Sequence, residues 1–260
     1  FVRLFYVRWL HTMPIKTDWI GDLPDFLMLA DELHGEMSAW GATTRTSTTY
    51  NINQQMMHAR RHLLAILKYL HNSFTPATTD VSENEKERIL LLVSFVQGVG
   101  HVESLITEGQ YIKACPVIRQ GYEFLTRVRE LRKGIAKTGE TPNVKNAPEG
   151  SQRFYGQLSK IVHPQHPAML LKFLQSWEGG SNSIVVIHLP HFVGPLASHL
   201  YMIHIWLTFE FTREAILLYA DVCGQNEALN RAIFELERTI STLEAIGITF
   251  KMPKETDETA

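Results

Sequence analysis

The sequence predicts an all-α protein, a multi-helix bundle of about seven or eight helices in a single helical domain over residues 1–260. Apolar residues recur at helical spacing through most of the chain. Ser82 and Glu85 form a capping-box pattern ahead of a long apolar helix. The exception to this helical pattern is one β-like run, the extended segment 183–189 (SIVVIHL), for which the sequence shows no strand partner.

The first part of the chain predicts an arm followed by two helices. Residues 1–20 form an irregular or helical N-terminal arm, and Asp22 with Pro24 starts a helix over 23–40. Thr and Ser fill residues 43–49, which predicts a loop because these side chains compete for backbone hydrogen bonds. The second helix then covers 54–74.

The central part predicts two longer helices joined by a glycine. The capped helix covers residues 83–108, and Gly109 is a plausible C-terminal glycine. The next helix covers 110–133, where Pro116 either kinks the helix or marks its first turn. Glycine, proline and asparagine make residues 134–150 the longest polar loop.

The last part predicts two short helices and then two long ones. A short helix lies between Ser151, its cap, and Pro164. The remaining predicted elements, in order, are a short helix over 167–177, the extended segment 183–189, long helices over 191–222 and 226–245, and a frayed tail over 247–260.

Composition narrows the class of protein and its partners. The net charge of -2 provides no basic field for a nucleic-acid backbone, so nothing supports DNA binding. Cys115 and Cys223 lie far apart on predicted helices and are expected to be reduced thiols of a cytoplasmic protein. Residues 192–211 are long and apolar enough for a membrane span. They contain two histidines, a proline and Glu210, so they predict a buried core helix and no membrane.

Two polar motifs in the central third of the chain contain the candidate site. The first is EGQYIKACPVIRQGYEFLTRVRELRKG, residues 108–134, in which Arg119 and Glu123 lie four residues apart on one helix face. The second is RFYGQLSKIVHP, residues 153–164, in which His163 directly precedes the last residue, Pro164. A cluster of Arg119, Glu123 and His163 can bind an anionic group or exchange a proton near neutral pH. The alternative is a structural polar network that joins two helices.

These motifs resemble bacterial all-helical families of HEPN-like type over about the central third of the chain. The resemblance implies a helical core on which polar residues converge. In HEPN ribonucleases an Arg and a His a few residues apart act on the RNA backbone, which makes Arg119, Glu123, Arg153 and His163 the candidate catalytic residues. Here nine residues separate Arg153 from His163, a wider spacing than in those enzymes.

Three other groups of residues leave alternatives open. His58 and His62 share a helix face and can chelate a metal, but no further ligands are identifiable, so neither a metal site nor a cofactor is expected. Residues 127–133 form a basic patch that complements the helix dipole or, alternatively, contacts phosphate or RNA. A small-ligand pocket at His199, His204 and Trp206 is a further alternative.

The function expected from these observations is a non-enzymatic binding or assembly module that forms a homo-oligomer. Its contact surfaces are expected at residues 1–9 or on the helix face of Trp206. The alternative is a HEPN-like RNA- or phosphate-directed enzyme that uses the Arg/Glu/His cluster. Whether the protein is an enzyme is left open by the sequence.

Overall fold

The computed structural model describes residues 23–75, 81–148, 151–162, 175–176, 185–186 and 189–248. Within them the chain forms seven α-helices: α1 Leu23–Asn51, α2 Gln54–Asn72, α3 Glu83–Thr107, α4 Tyr111–Arg132, α5 Gln152–Val162, α6 Gly194–Cys223 and α7 Glu227–Glu244. The described part also has one 3-10 turn, Val144–Asn146, and two short strands, β1 Gln175–Ser176 and β2 Val185–Val186. The prediction of an all-α bundle is confirmed. The predicted arm at 1–20 and all but the first two residues of the predicted tail lie outside the described residues.

Local signals in the sequence set the helix ends. The Ser82 hydroxyl accepts a hydrogen bond from the Glu85 amide (3.3 Å), and a Glu85 carboxylate oxygen accepts from the Ser82 amide (2.7 Å), which completes the predicted capping box. Gly109 has a φ of 77°, and a Cβ there would lie 2.6 Å from the carbonyl oxygen of His191. This close approach requires glycine between α3 and α4. Pro116 lies inside α4, beyond its first turn.

Helix α6 is the buried centre of the bundle, as its apolar composition predicts. Arg88 near the start of α3 pairs with Asp221 near the end of α6, which shows that the two helices run antiparallel. The rings of Phe95 and Phe211 stack between these two helices. Helices α2 and α4 also pack on α6, α5 packs on α4, and α7 packs on α2. The buried apolar side chains form one continuous core.

The loop predicted at residues 43–49 was wrong, because α1 continues through them to Asn51. The hydroxyls of Thr43 and Thr46 donate to backbone carbonyls four residues earlier, which satisfies these polar groups without breaking the helix. Thr44 and Thr48 are buried against the bundle. Tertiary packing therefore overrides the low helix propensity of this segment.

The helix predicted at 167–177 was wrong at its described end, because residues 175–176 form β1. The segment 183–189 was predicted to be extended and without a partner. Of its described residues, Val185 and Val186 are extended, but they pair antiparallel with β1. Its pairing partner, β1, lies in the segment 167–177, which fits a helical pattern equally well, so the sequence did not indicate the pairing.

Candidate functional site

Arg119 and Glu123 form the predicted pair on α4. The Arg119 Nε donates to Glu123 Oε1 at 3.1 Å, as the spacing of four residues requires. A third residue, Tyr155 of α5, completes the group: its hydroxyl donates to Glu123 Oε1 at 3.0 Å and accepts from Arg119 Nη2 at 3.1 Å. We call Arg119, Glu123 and Tyr155 the outer triad. Its side chains are partly exposed to solvent.

The packing of α5 positions Tyr155 over α4. Leu158 and Ile161 of α5 are buried in the core, and the partly buried Phe154 of the same helix also packs against the core. The rings of Tyr155 and Tyr122 lie 6.0 Å apart. A second neighbour of the Tyr155 ring is the Arg119 guanidinium, which lies over it. Sequence reasoning missed Tyr155, although it lies within the quoted motif next to Phe154 and on the same amphipathic helix.

The side chain of Arg153 and the whole of His163 lie outside the part of the chain that the structure describes. Arg153 lies in the first turn of α5, and His163 follows this helix and lies outside the described residues. The structure therefore brings together Arg119 and Glu123, two of the four candidates. A proton-transfer role for His163 stays a prediction from the sequence.

The outer triad is a satisfied ion pair. Burial lowers the pKa of Arg119, but the hydrogen bonds and charges of Tyr155 and Glu123 outweigh it, and the pKa is raised above its usual value. Arg119 is thus a permanent cation whose main partner is already present. An anionic ligand would have to compete with Glu123 for the guanidinium.

A second set of the same three residue types lies deeper in the bundle. Arg60 of α2 pairs with Glu103 of α3, and the Tyr201 hydroxyl of α6 donates to Glu103 Oε1 at 3.0 Å. We call Arg60, Glu103 and Tyr201 the inner triad. Tyr201 is fully buried and Arg60 nearly so, and Arg60 Nε has no hydrogen-bond partner in the described part of the chain.

His204 lies one turn after Tyr201 and is a neutral side chain. Burial, together with the nearby charge of Arg60, lowers the pKa of His204 to about 3. Its Nε2 has no hydrogen-bond partner among the described residues, and its ring meets the edge of Tyr201 at a centroid distance of 6.2 Å. His204 is therefore a buried core histidine.

The proposed pocket at His199, His204 and Trp206 divides between two environments. His199 is exposed and lies beside Phe154 of α5, and Trp206 stacks on Tyr122 of α4. His204 instead packs with Tyr201 and feels the charge of Arg60. The three side chains do not line one site.

The basic patch predicted at residues 127–133 is largely neutralised by carboxylates. Arg127 Nε pairs with Glu87 at 2.9 Å, and Arg132 Nε pairs with Glu214 at 3.0 Å. Arg129 lies 3.7 Å from the buried Glu210 and 3.9 Å from Glu214. Burial raises the pKa of Glu210, although the arginines around it oppose this effect. These arginines tie α4 to α3 and α6 and leave little free charge for a phosphate.

The predicted histidine pair on α2 is also occupied. His62 Nε2 lies 3.0 Å from Glu235 Oε2, and His62 Nδ1 lies 2.8 Å from the Thr239 hydroxyl, so His62 fastens α7 to α2. His58 is exposed. In the part of the chain that the structure describes, no group of three or more His, Cys, Asp or Glu side chains is placed to hold a metal ion.

Among the described helices, α1 and α3 each expose three or more large apolar side chains. Residues 28–40 of α1 are exposed except for the partly buried Met37, and they present Met28, Leu29, Leu33 and Trp40 to solvent. Helix α3 exposes Leu90, Val93 and Val96. Of the described helices, α3 alone has the length and apolar composition of a membrane span, and a third of that stretch is buried inside the protein.

Comparisons with protein-family models, with curated proteins and with solved structures found no match to this chain.

Proposed function

We propose that this protein is a non-enzymatic binding or assembly module, and that its helix α1 docks onto a partner protein. The observation that supports this proposal is the apolar stripe of α1, formed by Leu29, Leu33 and Trp40. Toward its C-terminal end the same face buries Gly41, Thr44 and Thr48 against the bundle. The stripe continues this packing face outward, and among the described residues it stays exposed to solvent.

The charges beside the stripe indicate the chemistry of the partner. Glu32 and Glu36 lie four residues apart along one edge of the stripe, where like charges destabilise an isolated helix. Residues 23–44 contain no Lys or Arg that could relieve this repulsion. A basic amphipathic helix would cover the stripe and neutralise both carboxylates.

The test uses two synthetic helical peptides with heptad repeats. One consists of leucine and lysine, and the other consists of leucine and glutamate. The protein is expected to bind the leucine–lysine helix in fluorescence anisotropy and to ignore the leucine–glutamate helix. Changing Leu29 and Leu33 to Ser should weaken binding at least about tenfold, because two apolar anchors are lost. Ser38→Ala, on the opposite face of α1, is the matched control and should bind as the wild type does.

A second candidate function is a HEPN-like RNA- or phosphate-directed enzyme that uses Arg119, Glu123, Arg153 and His163. The partial exposure of the outer triad favours it, since a guanidinium and a phenol there can be reached from solvent. It predicts that the wild type cleaves RNA and that His163→Ala abolishes cleavage while the melting temperature stays nearly unchanged. RNA that stays intact with and without divalent metal would count against this function.

A further inference from the structure

The exposed face of α3 has the pattern of a helix-pairing seam. Its exposed residues Leu90, Val93, Gln97, Gly100 and Ser104 follow one another at spacings of three, four, three and four, the heptad spacing of paired helices. The opposite face of α3 packs into the core through Leu92, Phe95, Val99 and Val102. Helix α3 therefore has one face that packs in the core and a second, regular face that stays exposed among the described residues.

This seam is uncharged, and its two large aliphatic residues are exposed, Leu90 by 66% and Val93 by 46%. Residues 89–102 contain no Asp, Glu, Lys or Arg, so about four turns of helix expose no formal charge. An identical copy of this face meets no like-charge repulsion there, in contrast to the acidic stripe of α1.

We propose that α3 pairs with α3 of a second copy of this chain in an antiparallel, two-fold symmetric dimer. The large residues Leu90 and Val93 lie in the first half of the seam, and the small residues Gly100 and Ser104 lie in the second half. In an antiparallel heptad register Leu90 lies opposite the partner's Gly100, and Val93 opposite the partner's Gln97. Large side chains then fill the space above small ones at both ends.

The alternative arrangements fit the seam less well. A parallel pair would place Gly100 against the partner's Gly100 and leave a void at that end, which forfeits contact energy. A lipid bilayer would have to surround α3, but its inner face is packed in the core, and Arg88 and Glu103 near its ends form ion pairs with α6 and α2. A second copy is thus the occupant that matches both the shape and the charge of the seam.

This inference rests on the proposed assembly function, and light scattering after size-exclusion chromatography tests it first. The wild type is expected at twice the chain mass, and Leu90→Glu at the chain mass, because each new carboxylate would be buried against the partner's Gly100 with no cation between residues 89 and 102 to neutralise it. Leu90 is exposed in the single chain, so this variant should fold. Phe234→Glu, which places the same charge on an exposed aromatic of α7, is the matched control and should stay dimeric.

Cross-linking tests the antiparallel register. Leu90→Cys and Gly100→Cys proteins are expected to form a disulfide-linked dimer when mixed and not when oxidised separately. Position 90 lies about 15 Å along the axis from the partner's position 90, beyond the reach of a disulfide. The native Cys115 and Cys223 are buried, so the wild type serves as the blank. Cross-linking of each variant alone would overturn the antiparallel arrangement.

The remaining outcomes separate this inference from the proposed function. A monomeric wild type that still binds the leucine–lysine helix overturns the α3 dimer and leaves the binding function standing. A wild type that is monomeric and binds neither synthetic helix removes the support for both. Sedimentation of the wild type, but not of Leu90→Glu, with phosphatidylcholine vesicles would assign the seam to a membrane and overturn the dimer.

Discussion

The outer and inner triads contain the same three residue types and differ in what surrounds them. In the outer triad Arg119 and Glu123 pair along one helix and share a phenol from the neighbouring α5, at a surface that water reaches. In the inner triad three different helices each supply one side chain. The Arg60 side chain is 11% exposed and that of Arg119 is 24% exposed, so the inner pair interacts more strongly and costs more when one member is removed.

This difference in surroundings gives the two triads different roles in the protein. Breaking the outer triad returns its members to solvent, so it can change with little cost to the fold and stays free for a binding role. Breaking the inner triad leaves Glu103 or Arg60 without its counter-charge at a junction of α2, α3 and α6. The inner triad is therefore a structural element that fixes how these three helices meet.

Removal of Arg60 is expected to have the largest effect on the free energy of unfolding. Arg60→Ala should lower the free energy of unfolding by about 3 kcal/mol, because the Glu103 carboxylate loses its buried partner. Arg119→Ala makes the same change in the outer triad and should cost no more than about 1 kcal/mol. Urea denaturation of both variants measures the difference.

The double variant Arg60→Met, Glu103→Leu shows whether the charge pair or the packing matters. It should recover most of the stability lost in Arg60→Ala, since apolar residues of similar size often replace a buried ion pair at little cost. Equal losses in Arg60→Ala and Arg119→Ala would remove the distinction between the two triads.

The stability of the inner region should also depend on pH through His204. Its pKa is about 3 in the folded protein and about 6.5 in an unfolded chain, so between these values the unfolded state binds one proton more. The free energy of unfolding therefore falls as the pH drops below about 6.5, by up to about 1.4 kcal/mol per pH unit from this residue.

His204→Leu removes this titration and should make the pH dependence between pH 6.5 and 5 shallower by up to that amount. Urea denaturation at several pH values measures the slope. Tyr201→Phe, which changes the neighbouring ring but leaves the histidine in place, is the control and should keep the wild-type slope. An unchanged slope in His204→Leu would mean that the histidine is protonated in the folded protein.

Much of the helical fold could be predicted from the sequence, because capping residues and apolar periodicity are local signals. Ser82 and Glu85, Gly109, and the apolar run of α6 placed their elements close to the observed bounds. The segment 43–49 could not be placed in this way. Its helical state depends on the burial of Thr44 and Thr48 against distant residues.

The same contrast between local and long-range contacts decides which of the two triads could be predicted from the sequence. The pairing of Arg119 with Glu123 was predictable, since a spacing of four residues on a helix brings side chains together whatever the rest of the fold does. The inner triad joins residues 60, 103 and 201, and no local spacing indicates that contact. Its members become neighbours only through the packing of α2, α3 and α6.

Removal of the two phenol hydroxyls gives the smallest and most closely matched comparison. Tyr201→Phe should destabilise the protein by about 1 to 2 kcal/mol, because Glu103 loses the hydrogen bond from the fully buried Tyr201 hydroxyl. Tyr155→Phe deletes the same atom from the outer triad, where Glu123 keeps Arg119 and gains water, and its cost should stay below about 1 kcal/mol. Each hydroxyl donates to a glutamate at 3.0 Å, so hydrogen-bond length does not distinguish them. A larger loss in Tyr155→Phe, measured by urea denaturation, would show that the outer triad supports the fold and would weaken its candidacy as a binding site.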